Sequence, residues 1–209
     1  MTAQISDIYK HKRNKYNLVA LSDPIGFEPK DYGLDPQASC TACRRGYWCE
    51  YDIREDGLYL DKLFLHNGEG NYPDFNGVSA ISPEYEELEY IEGSSNKRGR
   101  RKFPKNMGHW TYDNANLLIP YTGKILLGDK FLREYYIHMG YQQAFAYEIL
   151  LEFVFENGKL IESIDHSDKV KKMRESMDLD ELIGRNDVTK FVNDSFSLDY
   201  KTKAWWLEI

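Results

Sequence analysis

The sequence predicts an α+β protein that is mainly antiparallel β, with two similar hairpin-bearing halves forming a sheet or barrel-like core and C-terminal helices packed on it. Two observations indicate the β core: tight-turn residues occur twice between apolar runs, and an extended apolar stretch precedes each hairpin. A third places the helices, because apolar residues take up helical spacing from Ser167 onward. We therefore expect a β-rich core domain over residues 1–166 and a helical segment with an apolar tail over residues 167–209.

The two hairpins are predicted from their turns. Residues 47–66 alternate apolar and polar positions and contain Asp56-Gly57, after which a second apolar run follows. Residues 147–164 alternate in the same way and contain Asn157-Gly158, a pair in which both residues tolerate a positive φ. Each of these segments is therefore interpreted as two antiparallel strands joined by a tight turn.

The similarity of the two hairpins suggests a degenerate internal duplication covering residues 9–80 and 110–166. Chance similarity between two amphipathic hairpins is an equally weighted alternative, because alternation is a general property of strands. Residues 81–106 join the halves and contain an acidic run, a Gly-Ser break and a basic run. This composition predicts a long exposed loop, with a short strand over residues 88–91.

Two later segments carry helical spacing. Residues 129–140 fit a helix or a strand equally well and are left open. Ser167 is a suitable N-cap for a helix that includes Val170, Met173 and Met177, and residues 178–195 are interpreted as two helical pieces separated by a glycine. The chain ends in apolar residues that are expected to dock as an edge strand or plug: Trp205, Trp206, Leu207 and Ile209.

Charge and composition indicate the cellular compartment and the classes of partner that the chain is not expected to bind. The chain carries a net charge of −7, which disfavours nonspecific binding of the whole molecule to nucleic acid or to an anionic membrane. Its N-terminal segment lacks the apolar run of a signal peptide, and no stretch has the length of a membrane span. Three cysteines without an export signal predict a reducing, cytoplasmic location.

The three cysteines, Cys40, Cys43 and Cys49, lie within ten positions. Strand alternation puts Cys49 on an apolar face, which leaves Cys40 and Cys43 as a loop pair. Loop or core packing is the favoured interpretation of that pair, zinc binding is the second, and dithiol chemistry is the third because no helix follows the pair. Zinc at Cys40 and Cys43 would need further ligands from the histidines, which are His11, His66, His109, His138 and His166.

A dense basic cluster supplies a candidate site for an anionic ligand of the nucleotide type. It comprises Lys97, Arg98, Arg100, Arg101, Lys102 and Lys105, and neutralisation of the acidic run just upstream is the favoured interpretation. The candidate ligand-binding residues are Arg98, Arg100, Arg101, Tyr135, Tyr136 and His138. No phosphate-binding glycine loop, hydrolase elbow or zinc-protease motif is found, and no catalytic residue is assigned.

Two segments carry a resemblance to known proteins: RGYWCEY with a following LYL, and TGKILLG with YYIHMG and FENGKLIE. Together they resemble a family of small uncharacterised bacterial proteins, over residues 9–164. The resemblance implies a bacterial or phage-related cytoplasmic protein and carries over no catalytic residue.

We expect a noncatalytic binding protein of the immunity or inhibitor type, which caps a basic surface of a protein partner. Carboxylates would steer the association and exposed aromatic residues would anchor it. The alternative is a small-ligand binding protein that holds a nucleotide-like anion between an aromatic pocket and the basic cluster. A zinc- or dithiol-dependent enzyme at Cys40 and Cys43 is the third hypothesis.

Overall fold

Ten strands followed by three short helices make up the regular structure of the residues that the computed structural model describes, which are 3–68, 70–92, 97–176, 188–204 and 206. The strands are β1 (Ile8–His11), β2 (Asn14–Leu21), β3 (Tyr47–Arg54), β4 (Gly57–Leu65), β5 (Tyr85–Glu92), β6 (Lys97–Pro104), β7 (Trp110–Leu118), β8 (Gly123–Phe131), β9 (Tyr147–Glu156) and β10 (Lys159–Asp165). The helices are α1 (Ser167–Ser176), α2 (Val188–Ser195) and α3 (Tyr200–Lys203). The expected α+β class is confirmed.

Eight strands form one sheet in the order β10-β9-β8-β2-β1-β3-β4-β7. Neighbouring strands are antiparallel except β1 and β3, which run parallel with Tyr9 beside Tyr51. The sheet curls on itself, since the backbone N–H of Leu58 on β4 donates to the carbonyl of Gly158 in the β9–β10 turn at 3.0 Å. Both predicted hairpins, β3–β4 and β9–β10, are therefore present and meet across the inside of the curl.

The inner face of the sheet holds the main hydrophobic core. Cys49, Tyr51 and Ile53 of β3 point into it together, as strand alternation predicted. They meet Phe153 and Phe155 from β9, on the other side of the curl. Loops 22–37 and 66–80 pack against this core, with Leu34 and Phe75 fully or almost fully buried.

The outer face of β2, β8 and β9 carries a second core, which receives the C-terminal segment. Leu126 and Leu150 of the sheet pack with Val170 of α1 and with Trp206. The expectation that the tail docks is confirmed for Trp206, while Trp205, Leu207 and Ile209 lie outside the described residues. Residues 177–187, which include Met177 and the first predicted helical piece after it, also lie outside them. None of the helices in the described ranges has the length and apolar character needed to cross a membrane.

A buried carboxylate, Glu152 of β9, ties the C-terminal segment to the sheet. Tyr200 of α3 donates its hydroxyl hydrogen to Glu152. The Nζ of Lys124 lies 3.2 Å from Glu152 Oε1, and the Nε2 of His166 lies 3.3 Å from Oε2. The Glu152 side chain is only 3% exposed, so these partners replace water around its charge.

Lys203 of α3 is a second buried charged residue in the C-terminal segment, with 2% of its surface exposed. Its Nζ donates to the carbonyl oxygen of Tyr141 at 3.4 Å. Burial lowers the pKa of Lys203 to about 8, although the carboxylate of Asp194 acts in the opposite direction. The fold therefore disfavours the charged form of this amine.

The predicted duplication stays a prediction. Residues 9–80 supply the contiguous block β2-β1-β3-β4, which includes the parallel pair. Residues 110–166 supply β8, β9 and β10 beside β2, but β7 lies on the opposite side, beside β4. The two hairpins thus occupy one sheet, whereas the strands around them are paired differently.

Within residues 81–106, two strands pair along their full length where the sequence predicted an exposed loop with one short strand; residues 93–96 lie outside the described residues. Strands β5 and β6 pair over eight positions, from Tyr85 beside Pro104 to Glu92 beside Lys97. The exposure was predicted correctly, because Leu88 is 45% exposed and Phe103 is 37% exposed. The segment was wrongly interpreted as a loop because its charged residues hide the alternation that usually marks a strand.

We expect removal of the β5–β6 hairpin to leave the stability of the sheet unchanged. Its ends are adjacent, since the N–H of Lys105 donates to the carbonyl of Glu84 at 2.7 Å, so an Asn-Gly turn can replace residues 85–104. The free energy of unfolding, measured by urea denaturation, should change by less than about 1 kcal/mol, because a lone exposed hairpin buries little apolar surface. A loss above about 3 kcal/mol would show that the hairpin belongs to the core.

Candidate functional site

Loops 22–37 and 66–80 carry several exposed carboxylates and little positive charge. We define the acidic loop face by its carboxylates and its exposed aromatic ring: Glu28, Asp31, Asp35, Asp74 and Tyr32. Lys30 is the single lysine or arginine residue in these two loops. Four of the five defining residues are exposed and Asp35 is half-buried, so the carboxylates face solvent.

A short 3-10 turn, Pro29–Tyr32, builds the centre of the acidic loop face. Pro29 begins the turn with its fixed φ, and Gly33 ends it in the left-handed region with φ 75°. The N–H of Leu34 donates to the carbonyl of Pro29 at 3.2 Å, and the side chain of Leu34 is buried in the protein. The turn therefore presents Asp31 and Tyr32 outward from a fixed backbone.

Aromatic packing holds the two loops together under this face. The ring centroid of Tyr32 lies 5.1 Å from that of Phe75, and the ring of Phe27 lies 5.9 Å from Phe75. Backbone bonds add to this contact, since the N–H of Gln37 donates to the carbonyl of His66 at 2.8 Å. Tyr32 keeps 40% of its surface exposed, so one edge of a fixed ring is available to a partner.

The carboxylates of this face act on tyrosines beneath it. Burial raises the pKa of Tyr47 to about 12, and the charge of Glu28 adds to the effect. Burial likewise raises the pKa of Tyr112 to about 12, with contributions from Tyr72 and Asp74. Both phenols are therefore neutral at physiological pH. Lys30 is the one lysine or arginine in the two loops, so little positive charge offsets the carboxylates of the acidic loop face.

A cleft of about 380 Å³ lies beside the acidic loop face. Its polar lining includes Asp7, Arg45 and Tyr141, and its apolar wall includes Leu18 and Phe27. The guanidinium of Arg45 pairs with Asp7 at 2.5 Å and also donates to the carbonyl of Tyr47 at 2.7 Å. Arg45 is thus already engaged by the protein, which limits what it offers to a ligand.

The residues predicted to bind an anion lie on two separate parts of the fold. Arg98, Arg100 and Arg101 belong to strand β6, where Arg100 pairs with Glu89 of β5 at 3.7 Å. Tyr135, Tyr136 and His138 follow β8, and the ring of Tyr136 packs near that of His138. Tyr135 lines a cleft together with Leu132, Glu148 and residues of α1, and none of the three arginines lines that cleft.

The cysteines divide as the sequence analysis proposed. Cys49 lies in the inner core, where burial raises its pKa well above the usual value. Cys40 is exposed, and Cys43 is buried against Trp48 and Phe64 on the outer face of β3 and β4. A histidine does meet the loop pair, because the Nε2 of His109 lies 3.8 Å from Cys43 Sγ.

His109 is held in one tautomer at the start of β7. Its Nδ1 lies 3.1 Å from the carbonyl oxygen of Asn106, which can only accept, so Nδ1 carries the hydrogen. Its Nε2 therefore bears a lone pair, which accepts from the hydroxyl of Ser39 at 3.2 Å. Burial lowers the pKa of His109, so the ring is neutral at pH 7. Among the described residues, no three His, Cys, Asp or Glu side chains are already arranged around a common metal position.

Comparison of the chain with protein-family models, with curated proteins and with solved structures finds no match in any of the three. Function is therefore inferred from the chain's own residues. The sequence analysis did not identify the acidic loop face, because no single motif marks it. Its composition does distinguish it, since residues 22–37 contain four carboxylates and one lysine among turn-forming Pro and Gly residues.

Proposed function

We propose that the protein is a noncatalytic cytoplasmic binding protein of the immunity or inhibitor type, and that its acidic loop face caps a basic surface of a protein partner. The observation that carries the proposal is the concentration of exposed carboxylates around Tyr32 on a fixed turn. Carboxylates arranged in this way steer a basic partner and suppress acidic ones. The half-exposed ring supplies an apolar anchor at little entropic cost, because packing on Phe75 already restrains it.

Most of the tyrosines do not contribute to such a surface. Tyr9, Tyr51 and Tyr112 are buried in the inner core, and exposed tyrosine rings are few in the described residues. The proposal therefore places the anchor at Tyr32 rather than across a broad tyrosine-rich surface. The hairpin is a weaker candidate for binding a basic partner, because Glu84 and Glu89 of its acidic side already pair with cations of its basic side.

Site-specific photo-cross-linking tests this surface. The photoreactive residue p-benzoylphenylalanine would replace Tyr32, with matched replacements at Tyr136, which is 59% exposed, and at Tyr85, which is 61% exposed. In host cells, we expect one protein to be captured from position 32 and not from positions 85 or 136. The captured protein should then bind the purified chain with an affinity that falls with salt, and the double variant Glu28→Lys, Asp31→Lys should weaken binding at least tenfold.

Two results would contradict the capping proposal. One is capture of a protein from position 85 or position 136 when position 32 captures none. The other is unchanged affinity of the captured partner for the Glu28→Lys, Asp31→Lys variant. The double variant Glu86→Lys, Glu87→Lys on the exposed hairpin is the matched control, since it changes the net charge by the same amount without touching the acidic loop face.

A small anionic ligand in the cleft beside Tyr141 is the second candidate function. It is favoured by the combination of Arg45 with an apolar wall, although Asp7 already neutralises the guanidinium. A thermal-shift series with adenosine and guanosine mono-, di- and triphosphates separates the candidates, because a ligand that binds the folded state must raise the midpoint. Absence of any shift across the series would exclude nucleotide binding at this cleft.

A further inference from the structure

The segment from Ser39 to Gly46 is folded as two consecutive turns that fix the cysteine pair. The N–H of Cys43 donates to the carbonyl of Cys40 at 3.0 Å, and the N–H of Gly46 donates to the carbonyl of Cys43 at 3.3 Å. Gly46 has φ 75° and leaves no room for a side chain, because an added Cβ would lie 2.3 Å from the backbone oxygen of Gln37. The thiols thus project from a short loop whose backbone is fixed at both ends.

His66 is attached to both ends of this loop by its own backbone. Its N–H donates to the carbonyl of Gly46, and its carbonyl accepts from the N–H of Gln37, each at 2.8 Å. The imidazole of His66 lies with its ring centroid 6.0 Å from that of His109. Three separate parts of the chain, namely the cysteine loop, the residue after β4 and the residue before β7, therefore converge on one place.

The distance between Cys43 and His109 suits a shared metal ion. Tetrahedral zinc with a Zn–S bond of about 2.3 Å and a Zn–N bond of about 2.0 Å separates sulfur from nitrogen by roughly 3.5 Å. The observed separation of Cys43 Sγ and His109 Nε2 is 3.8 Å. The orientation of the ring also suits a ligand. A histidine that binds a metal through one ring nitrogen usually donates its other N–H to a carbonyl or carboxylate, as His109 does to the carbonyl of Asn106.

We propose that Cys40, Cys43, His66 and His109 form a structural zinc site of the Cys2His2 type. The thiol of Cys40 is exposed and the ring of His66 is half-buried, so both side chains turn toward Cys43 and His109 when the ion binds. Each thiol gives its proton to solvent as it ligates, the hydroxyl of Ser39 gives up its hydrogen bond to His109 Nε2, and the two thiolates neutralise the charge of the ion. Four protein ligands leave no open position, so the ion would crosslink the cysteine loop to β4 and β7 without chemistry of its own.

This site is independent of the proposed partner and can be tested on the purified chain. Metal-free protein would be titrated anaerobically with Co²⁺, and separately with Zn²⁺ in competition with a chromogenic chelator. We expect one equivalent of Co²⁺ to produce both a thiolate-to-metal charge-transfer band and the intense visible bands of a tetrahedral site. Bound Zn²⁺ should raise the thermal midpoint, because the ion binds only the folded arrangement.

Single variants assign the ligands. Cys40→Ser changes an exposed side chain and should leave the fold intact, yet it should halve the charge-transfer band and weaken Zn²⁺ at least tenfold. His109→Gln and His66→Gln should weaken Zn²⁺ as strongly. His138→Gln is the matched control, since this exposed histidine lies elsewhere and should leave Zn²⁺ affinity unchanged.

The zinc proposal is overturned by either of two findings on folded protein. Uptake of less than a tenth of an equivalent of Co²⁺, or a spectrum without the thiolate band, would show that the four side chains do not form a site. A spectrum and Zn²⁺ affinity that stay the same in Cys40→Ser and wild type would show that the metal is held elsewhere. Far-ultraviolet circular dichroism of each variant confirms that loss of binding is not loss of fold.

Discussion

Replacing Glu152 by alanine should destabilise the protein by about 3 kcal/mol, because the change removes the anionic partner from a buried polar cluster. The hydroxyl of Tyr200 would lose Glu152 as an acceptor, and the ring of His166 would lose its hydrogen-bond contact with the same carboxylate. An unsatisfied buried polar group costs about 1–3 kcal/mol. Lys124 is 46% exposed and can return to water, which keeps the loss at the lower end of the range for a broken buried pair.

Two further variants distinguish the buried cluster from an ordinary ion pair. Glu148→Ala on the same strand removes a carboxylate that is 53% exposed and lies 3.9 Å from Lys130, and it should cost less than about 1 kcal/mol. Tyr200→Phe should cost about 1 kcal/mol, since it deletes one hydrogen bond and keeps the packing. Equal urea midpoints for Glu152→Ala and Glu148→Ala would show that Glu152 does not anchor the C-terminal segment.

Replacing Lys203 by methionine should stabilise the protein by about 2 kcal/mol at pH 7. The ammonium is buried with one weak carbonyl acceptor, and methionine fills a similar volume without a charge. Lys201 belongs to the same helix and is exposed, so Lys201→Met should change the free energy of unfolding by less than about 0.5 kcal/mol. A destabilised Lys203→Met variant would mean that the amine contributes more through its contacts than its burial costs.

The pH dependence of stability gives a second readout for Lys203. The pKa of Lys203 is about 8 in the folded chain, whereas the unfolded chain has the ordinary lysine value of 10.5. Between pH 8 and pH 10.5 the unfolded chain therefore binds more protons than the folded chain. Stability must therefore rise as pH increases through this window, and the penalty is fully present below pH 8. Between pH 7 and 9.5 wild type should gain about 2 kcal/mol relative to Lys203→Met, because each pKa unit corresponds to about 1.4 kcal/mol. Parallel profiles for the two proteins would contradict the buried-amine interpretation.

The parts of the fold that were predicted correctly depend on local chemistry. The turn at Asn157-Gly158 specifies the second hairpin, because both residues adopt a positive φ that few residue pairs tolerate. The first hairpin is present, but its turn lies at Glu55-Asp56, one position before the predicted Asp56-Gly57, since Gly57 is already on β4 and pairs with Arg54. Period-two alternation then assigned Cys49 to the core side of β3. Each of these features depends on residues that are close together in the chain, so it can be predicted from a short stretch of sequence.

The parts that were missed depend on contacts between distant residues or on unusual turns. Strand β1 is joined to β2 through Lys12 and Arg13, both at positive φ, and neither residue type marks such a turn. The pairing of β1 with β3, and the approach of His109 to Cys43 across 66 positions, arise only when the sheet is assembled. The acidic loop face likewise required the contact between Tyr32 and Phe75 to join two loops.

The strand order has a consequence for synthesis on the ribosome. The block β2-β1-β3-β4 is complete once residue 65 has emerged, but β8 and β7, which cover its two edges, lie beyond the β5–β6 hairpin in the chain. At roughly 5–20 residues per second, both edges stay unpaired for a time on the order of seconds. During that interval each edge is a template for pairing with another nascent chain. The charged hairpin β5–β6, which emerges between this block and the covering strands, carries no core residues in its described part, so it adds no buried apolar side chains to the chain that is waiting for those strands.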